Sequence, residues 1–262
     1  LIYFFFMKTS LVKVQKMNKS FGGLKAINDC SIEIKENSIT GIIGPNGSGK
    51  STLFNLITGN LKPDQGSVFY NGLDVTGKEP YELFKLGILR TFQIAHEFSN
   101  LTVVENLMMV PGNQLGENLI TSIFSREKFK KQENEIKEKA FEVLKFLKID
   151  HLINEKAGNL SGGQKKLLEL ARTMMVDAKI VFLDEVGAGV NKSLLKEISD
   201  SILKLNKERN YTFCIIEHDI DFITKLCDPV IVLAEGKVLF QGTAKEVKDN
   251  NEVIDSYLGK SS

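Results

Sequence analysis

Three short runs of the chain are almost continuously apolar, at residues 39–43, 180–183 and 213–216. Runs of this kind are typical of parallel strands that are covered by helices on both faces. Each run ends in residues suited to chemistry: a glycine-rich loop, Asp184-Glu185 and Glu217-His218-Asp219. Because ligands bind beyond the carboxyl ends of the strands in open α/β sheets, we expect the three strand ends to share one site.

Periodic patterns predict the remaining elements. Alternation over residues 31–35 predicts a strand with one solvated face at an antiparallel edge, and turn signals within 68–73 and 231–241 predict two hairpins. Apolar residues at helical spacing from 129 to 147, among many lysines and glutamates, predict an amphipathic helix. Asn191 can cap a later helix. Its core face would carry Leu194, Leu195, Ile198, Ile202 and Leu205.

Composition narrows the class of protein. The 262 residues are 42% apolar, which suffices for one core with a subdomain, and a net charge of +1 leaves no basic excess for nucleic acid. The isolated Cys30, Cys214 and Cys227 predict packing residues in a reduced compartment. The apolar run 1–7 is far shorter than the ~20 residues that span a bilayer. Met7 is the expected natural start, and an interfacial anchor is the alternative interpretation of the run.

Residues 44–51 satisfy the P-loop pattern, directly after an apolar strand and before a helical run. Glycines let backbone N–H groups turn inward around phosphates, and the new helix presents its positive end to them. Lys50 would hold the β- and γ-phosphates of ATP, and Ser51 would ligate Mg²⁺. The residues expected around the nucleotide are Gly44, Pro45, Asn46, Gly47, Ser48, Gly49, Lys50, Ser51 and Thr52.

Asp184 and Glu185 form the partner feature of the P-loop. Asp184 would hold Mg²⁺ through water, and Glu185 would polarise the attacking water. Acidic residues often do no more than end a strand. We assign these roles to Asp184 and Glu185 because the chain also contains a P-loop.

Ser161, Gly162, Gly163 and Gln164 open a further helix. Ser161 suits the N-cap, and the two glycines leave the helix end open, which makes a second anion-binding terminus. An ordinary capped helix is the alternative. Two phosphate-seeking surfaces on one chain favour a site that is shared between two chains.

This ordered set of motifs, with Gln93 and His218, resembles the ABC transporter ATPase family from residue 10 onward. The resemblance implies a P-loop NTPase core with a mostly parallel sheet, an antiparallel β subdomain and a helical subdomain. It implies that Gln93 touches Mg²⁺ and that His218 contacts the γ-phosphate, although a strand-end histidine is more often a polar cap. It also implies that Phe21 stacks on adenine, with core packing as the alternative.

The resemblance predicts an organisation in four segments. These are a disordered or mis-annotated apolar tail over residues 1–8, a first core part with the antiparallel subdomain and the P-loop over 9–80, the helical subdomain with Gln93 over 81–158, and the rest of the core over 159–262. Two departures from the family pattern stand near the catalytic glutamate. Val186 replaces the usual proline, and Asn191 replaces the usual aspartate of the next loop.

Within the family, several segments resemble the branched-chain amino acid importer ATPases: residues 21–26, 90–93, 101–106 and 253–259. Urea and short-amide importers are close alternatives, and lipopolysaccharide exporters a further one. The resemblance implies a peripheral subunit on the cytoplasmic face of the inner membrane. Its partners would be a transmembrane permease, a second ABC ATPase subunit and, indirectly, a substrate-binding protein. The alternatives from other classes are a soluble ABC ATPase acting on ribosomes or DNA and a non-hydrolysing regulatory cassette.

Overall fold

The computed structural model describes residues 10–91, 97–112, 114, 126–176 and 178–258. The chain forms two compact units. The first, called the sheet unit, consists of Leu1–Gln93, Lys179–Ala188 and Ile202–Ser262. The second, called the helical unit, consists of Ile94–Ala178 and Gly189–Ser201.

A six-stranded sheet forms the centre of the sheet unit, in the order β10-β9-β3-β8-β7-β6. Parallel pairing joins β3, β6, β7, β8 and β9, whereas β10 pairs antiparallel with β9. Every residue of β3, β7 and β8 is buried, which confirms the predicted parallel strands. The strands are β3 (Ile39–Ile43), β6 (Ile88–Arg90), β7 (Ile180–Asp184), β8 (Thr212–Ile216), β9 (Val230–Ala234) and β10 (Lys237–Gly242).

The other strands in the described part of the chain form a four-stranded antiparallel sheet, ordered β2-β1-β4-β5. The edge strand β2 buries Ile32 and Ile34 and exposes Glu33 and Lys35, as the alternation predicts. The two predicted hairpins are also confirmed, at β4-β5 and at β9-β10. The strands are β1 (Ser10–Phe21), β2 (Leu24–Lys35), β4 (Gln65–Tyr70) and β5 (Leu73–Asp74).

Short helices accompany these sheets. Asp219 caps one of them, since its Oδ1 accepts the N–H of Phe222 at 3.0 Å. The helices of the sheet unit are α1 (Lys50–Ile57), α2 (Pro80–Lys85), α7 (Ile220–Leu226), α8 (Ala244–Asp249) and α9 (Asn251–Leu258). The long helix α6 (Lys192–Arg209) contributes residues to both units.

The helical unit contains α3 (Val103–Met108), α4 (Arg126–Phe146) and α5 (Gly162–Met174), with two 3₁₀ turns at Asp150–Leu152 and Ala157–Asn159. Helix α4 confirms the predicted amphipathic helix and buries Ala140, Val143 and Leu144. The predicted cap of α6 is confirmed as well, because Asn191 Oδ1 accepts the N–H of Leu194 at 2.9 Å. Its predicted core face is buried fully at Ile198, Ile202 and Leu205 and partly at Leu194 and Leu195.

A buried asparagine organises the start of this unit. Asn106 is fully buried on α3; its side chain donates to the carbonyls of Phe98 and Thr102 and accepts the N–H of Phe98. Thr102 and Glu105 form a capping box at the same helix end. Part of the segment 101–106, which resembles the importer ATPases, therefore has a structural role. Among the described residues, no helix combines the length and apolarity that a bilayer crossing needs.

Candidate nucleotide site

The loop from Gly44 to Gly49 joins β3 to α1 and turns through conformations that favour glycine. Gly44 has φ 152° and Gly49 has φ 99°. A methyl group at Gly44 would overlap the carbonyl oxygen of Leu233, and one at Gly49 would meet that of Ala26. Gly49 is the N-cap of α1 and has no side chain to satisfy the first N–H groups of the helix. The loop therefore offers backbone donors to an anion.

Lys50 lies buried at the centre of this loop. Its Nζ donates to the carbonyl oxygens of Gly44 at 2.8 Å and Pro45 at 3.0 Å. Burial lowers the pKa of Lys50, and the carboxylates of Glu185 and Asp184 offset part of that effect. The charged ammonium thus lies within electrostatic reach of both predicted carboxylates, which is the convergence that the strand ends predict.

The β9-β10 turn is hydrogen-bonded to the P-loop. The N–H of Gly236 donates to the carbonyl of Ser48 at 3.1 Å, and the carbonyl of Gly236 accepts the N–H of Asn28 at 2.9 Å. One turn residue therefore connects the P-loop with strand β2. The sequence predicted this turn but not its contact with the loop.

Asp184 is the last residue of β7, and Glu185 follows with φ 50°. A left-handed conformation costs a non-glycine residue roughly 1–2 kcal/mol, and such strain is concentrated at functional sites. The N–H of Glu185 still donates to the carbonyl of Ile216 at 3.0 Å. The backbone is thus held in the sheet while the side chain turns toward the end of β8.

His218 lies at that end and meets Glu185 directly. Its Nε2 is 2.7 Å from Glu185 Oε1. The preceding residue, Glu217, is buried and accepts the N–H of Gly187 at 2.6 Å and that of His218 at 3.3 Å. Burial raises the pKa of Glu217, against the effect of these two donors. Glu217 therefore fixes the backbone on both sides of the Glu185–His218 pair, a role that its sequence position alone did not reveal.

Arg90 is a second residue whose role was not foreseen. It ends β6, and its guanidinium bonds both Asp184 and Asn55 of α1. The sequence marked residues 90–93 as typical of one group of importers but gave no reason for an arginine.

The chemistry of the site fits Mg²⁺. Ser51 is an exposed hydroxyl in the first turn of α1, and Asp184 is a carboxylate with 5% exposure at the end of β7. Mg²⁺ prefers such oxygen ligands and commonly uses one or two protein groups together with substrate phosphates. The third predicted ligand, Gln93, lies outside the described residues.

Phe21 ends β1 with 47% of its surface exposed, so the core-packing alternative is wrong. The Nζ of Lys19 lies 5.7 Å from the centre of the Phe21 ring. An exposed aromatic face at the end of a strand is available for stacking.

Ser161 to Gln164 begin helix α5 in the helical unit. The N–H of Gln164 donates to Ser161 Oγ at 3.4 Å, and the N–H of Ser161 donates to Gln164 Oε1 at 2.9 Å, which confirms the predicted cap as a capping box. Ser161 and Gly162 are exposed. Gly163 is buried, and a methyl group there would overlap the side chain of Leu194. The second glycine thus makes room for helix α6, beyond leaving the α5 terminus open.

Comparison with known proteins defines the class. The ABC transporter family profile matches residues 27–188. The chain therefore belongs to the ABC transporter ATPase family, and it is an ATPase.

Among individual relatives, the chain is 44% identical to the probable branched-chain amino acid transport ATP-binding protein LivG of Archaeoglobus fulgidus, over 95% of each chain. It is 33% identical to the high-affinity branched-chain amino acid transport ATP-binding protein LivG of Escherichia coli K12, over 97% of this chain and all of the relative. The predicted resemblance to the branched-chain group is thus confirmed.

Solved structures agree on the fold. An ATP-binding cassette of an ABC transporter in its ADP conformation matches with a TM-score of 0.82 and 39% identity, over 96% of this chain and 100% of that one. A dimeric bacterial ABC transporter cassette matches with a TM-score of 0.72 and 26% identity, over 89% and 98%. The predicted ABC ATPase fold is confirmed.

Proposed function

We propose that the chain is the ATP-hydrolysing subunit of an importer for branched-chain amino acids and that it drives a separate permease. The convergence of Lys50, Asp184, Glu185 and His218 at the ends of β3, β7 and β8 carries the hydrolytic part of this proposal. The import of branched-chain amino acids is supported by the names of relatives that align over nearly the whole chain.

ATP binds at the P-loop in this proposal. The N–H groups of residues 47–52 surround the phosphates, and Lys50 exchanges the loop carbonyls for the β- and γ-phosphate oxygens. The exchange is favourable because the ammonium then meets full negative charge instead of carbonyl dipoles. Phe21 stacks on the adenine through its exposed ring.

Hydrolysis is performed by the residues at the strand ends. Glu185 accepts a hydrogen bond from the attacking water and orients it in line with the γ-phosphate. His218 shares its Nε2 between Glu185 and the γ-phosphate. Ser51, Gln93 and, through a water, Asp184 would hold Mg²⁺, which would neutralise part of the phosphate charge.

The complete site requires two chains. The terminus of α5 at residues 161–164, which is exposed at Ser161 and Gly162, faces the γ-phosphate bound by the P-loop of the other chain. ATP binding favours closure of the pair, and hydrolysis removes the group that holds it closed. Asn191 at the N-cap of α6 keeps a hydrogen-bonding group in the loop between the two sites.

The closure and opening of the ATPase pair drive transport of the amino acid through other subunits. Residues 81–158 would contact the permease, with Gln93 at the hinge, on the cytoplasmic face of the membrane. The second ATPase is expected to be a different chain in the cell. A binding protein outside the membrane would deliver the amino acid.

Glu185→Gln tests the site, because this variant should bind ATP, dimerise and barely hydrolyse. Light scattering with and without ATP measures the mass, and phosphate release measures turnover. Adding Ser161→Arg should abolish the ATP-dependent dimer, whereas Ser201→Arg, an exchange of the same kind on α6, should preserve it. Normal turnover in Glu185→Gln would remove this residue from catalysis, and an unchanged dimer with Ser161→Arg would refute the shared site.

The cargo requires a separate test. Permease subunits that co-purify with this chain should be reconstituted with it in vesicles, together with the substrate-binding protein that stimulates their ATPase activity. ATP-dependent uptake of labelled leucine, reduced by excess valine and unaffected by urea, is the expected result. Uptake of urea in place of leucine would assign the transporter to the alternative group.

A further inference from the structure

Arg90 connects the two sides of the proposed metal site. Its Nη2 lies 2.9 Å from Asp184 Oδ2, and its Nη1 donates to Asn55 Oδ1. The side chains of Arg90 and Asp184 are only 10% and 7% exposed. A buried arginine that bonds two acceptors at once holds both in one geometry.

The second acceptor matters because of its place on α1. Asn55 follows Ser51 by four residues, so the two side chains lie on the same face of the helix. Nη1 of Arg90 therefore bonds a residue on the helix face that carries Ser51, and Nη2 bonds Asp184. Ser51 and Asp184 are the two described residues that would hold Mg²⁺.

Aromatic packing fixes the arginine from a third direction. The guanidinium carbon lies 5.9 Å from the centre of the Phe54 ring, which meets Phe182 edge to face at 5.0 Å. The backbone is fixed as well, since Arg90 pairs with Phe182 and the N–H of Thr91 donates to the carbonyl of Phe182 at 2.9 Å. Arg90 thus has little freedom to leave Asp184.

Only arginine suits this position. A guanidinium carries its donors in a rigid planar fork, whereas a lysine ammonium is a point charge on a flexible chain. Lysine at residue 90 could neutralise Asp184, but it would not join Asp184 and Asn55 in a fixed geometry. Charge and geometry can therefore be separated by experiment.

We propose that Arg90 is a positioning residue for the metal side of the site: it fixes Asp184 relative to the α1 face that carries Ser51 and so sets the affinity for Mg²⁺. This inference rests on the proposed function. Arg90 bonds Oδ2 of Asp184, so Oδ1 would be the carboxylate oxygen that accepts from a metal-bound water. Residues that orient metal ligands typically change metal affinity about 10- to 100-fold when replaced.

The Mg²⁺ requirement of nucleotide binding can be measured in protein that does not hydrolyse ATP. Full-length Glu185→Gln protein is titrated with a fluorescent ATP analogue at a series of free Mg²⁺ concentrations and in excess chelator. Adding Arg90→Lys should raise the Mg²⁺ concentration for half-maximal binding roughly tenfold. Binding of the analogue in chelator should stay unchanged, because the P-loop is intact. The control Arg209→Lys, on the exposed end of α6, should behave like the parent.

An unchanged or lowered Mg²⁺ requirement in Arg90→Lys would overturn the inference. If that variant unfolds at the assay temperature, Asn55→Ser decides. Asn55→Ser keeps the Arg90–Asp184 pair, but its shorter side chain weakens the hydrogen bond with Arg90. This variant should therefore also raise the Mg²⁺ requirement. Failure of the proposed function looks different: the analogue would bind equally well to a Lys50→Ala variant.

Discussion

Nε2 of His218 and Oε1 of Glu185 are joined by a 2.7 Å hydrogen bond, although the two residues follow different strands. Parallel pairing of β7 with β8 brings the strand ends side by side, with Asp184 opposite Ile216. The left-handed backbone of Glu185 then turns its carboxylate toward the imidazole. The histidine and the proposed base thus form one unit before any nucleotide binds.

His218→Ala should reduce ATP turnover by at least about 100-fold, because Glu185 loses the group that orients it. ATP affinity should change little, since the P-loop is untouched. Steady-state phosphate release and a binding titration check both values. His151→Ala, an exposed histidine in the helical unit, is the matched control and should hydrolyse ATP at the parent rate. Parent-like turnover in His218→Ala would contradict the proposed role.

Lys50→Ala should weaken ATP binding about 10- to 150-fold, which corresponds to the ~1.5–3 kcal/mol of a charged hydrogen bond. Calorimetric titration measures the affinity. Lys62→Ala provides the comparison, because Lys62 is 71% exposed and pairs only at the surface with Glu79. Equal affinities in the two variants would refute the P-loop assignment.

Asn106→Ala should lower the free energy of unfolding by about 2–4 kcal/mol, because it leaves the N–H of Phe98 without its acceptor and removes the three hydrogen bonds that the buried amide group donates. Urea denaturation measures the loss. The exposed Asn159→Ala should cost less than about 0.5 kcal/mol. Similar losses in both variants would mean that Asn106 does not organise the 97–106 segment.

The Glu217→Gln variant should alter how stability depends on pH. The pKa of Glu217 is raised above 4.5, so in the window above 4.5 the folded protein keeps a proton that the unfolded chain has released. The contribution of Glu217 to stability therefore falls as pH rises through that window, and glutamine removes this fall. Melting temperatures measured across this pH range should show that the stability of Glu217→Gln relative to the parent increases as pH rises.

Glu246→Gln is the control of opposite sign. Its pKa is lowered by the backbone N–H and hydroxyl of Thr243, so its contribution is present above 4.5 and is lost as pH falls through the folded value. This variant should lose stability relative to the parent as pH rises. If the melting temperatures of the two variants, relative to the parent, changed with pH in the same direction, the raised pKa assigned to Glu217 would be contradicted.

Much of the fold was predictable because burial imposes simple patterns. The runs that became β3, β7 and β8 are almost continuously apolar, and every residue of these strands is buried. The chemistry at their ends could be read from local motifs as well. Glu217, Arg90 and Asn55 could not, because each acts through a partner 30 or more residues away. Buried polar groups find such partners only after the fold has formed.

The contact between Gly236 and the P-loop has a consequence for biosynthesis. The amide that supports Ser48 belongs to Gly236, which is translated after the P-loop, Asp184-Glu185 and His218. A nascent chain that has just emerged through His218 holds all of the catalytic groups but lacks the strand whose carbonyl at Leu233 crowds Gly44. Competence to bind nucleotide is therefore acquired late, once β9 and β10 have joined the sheet, and a chain that stops before Val230 would lack this support for the P-loop.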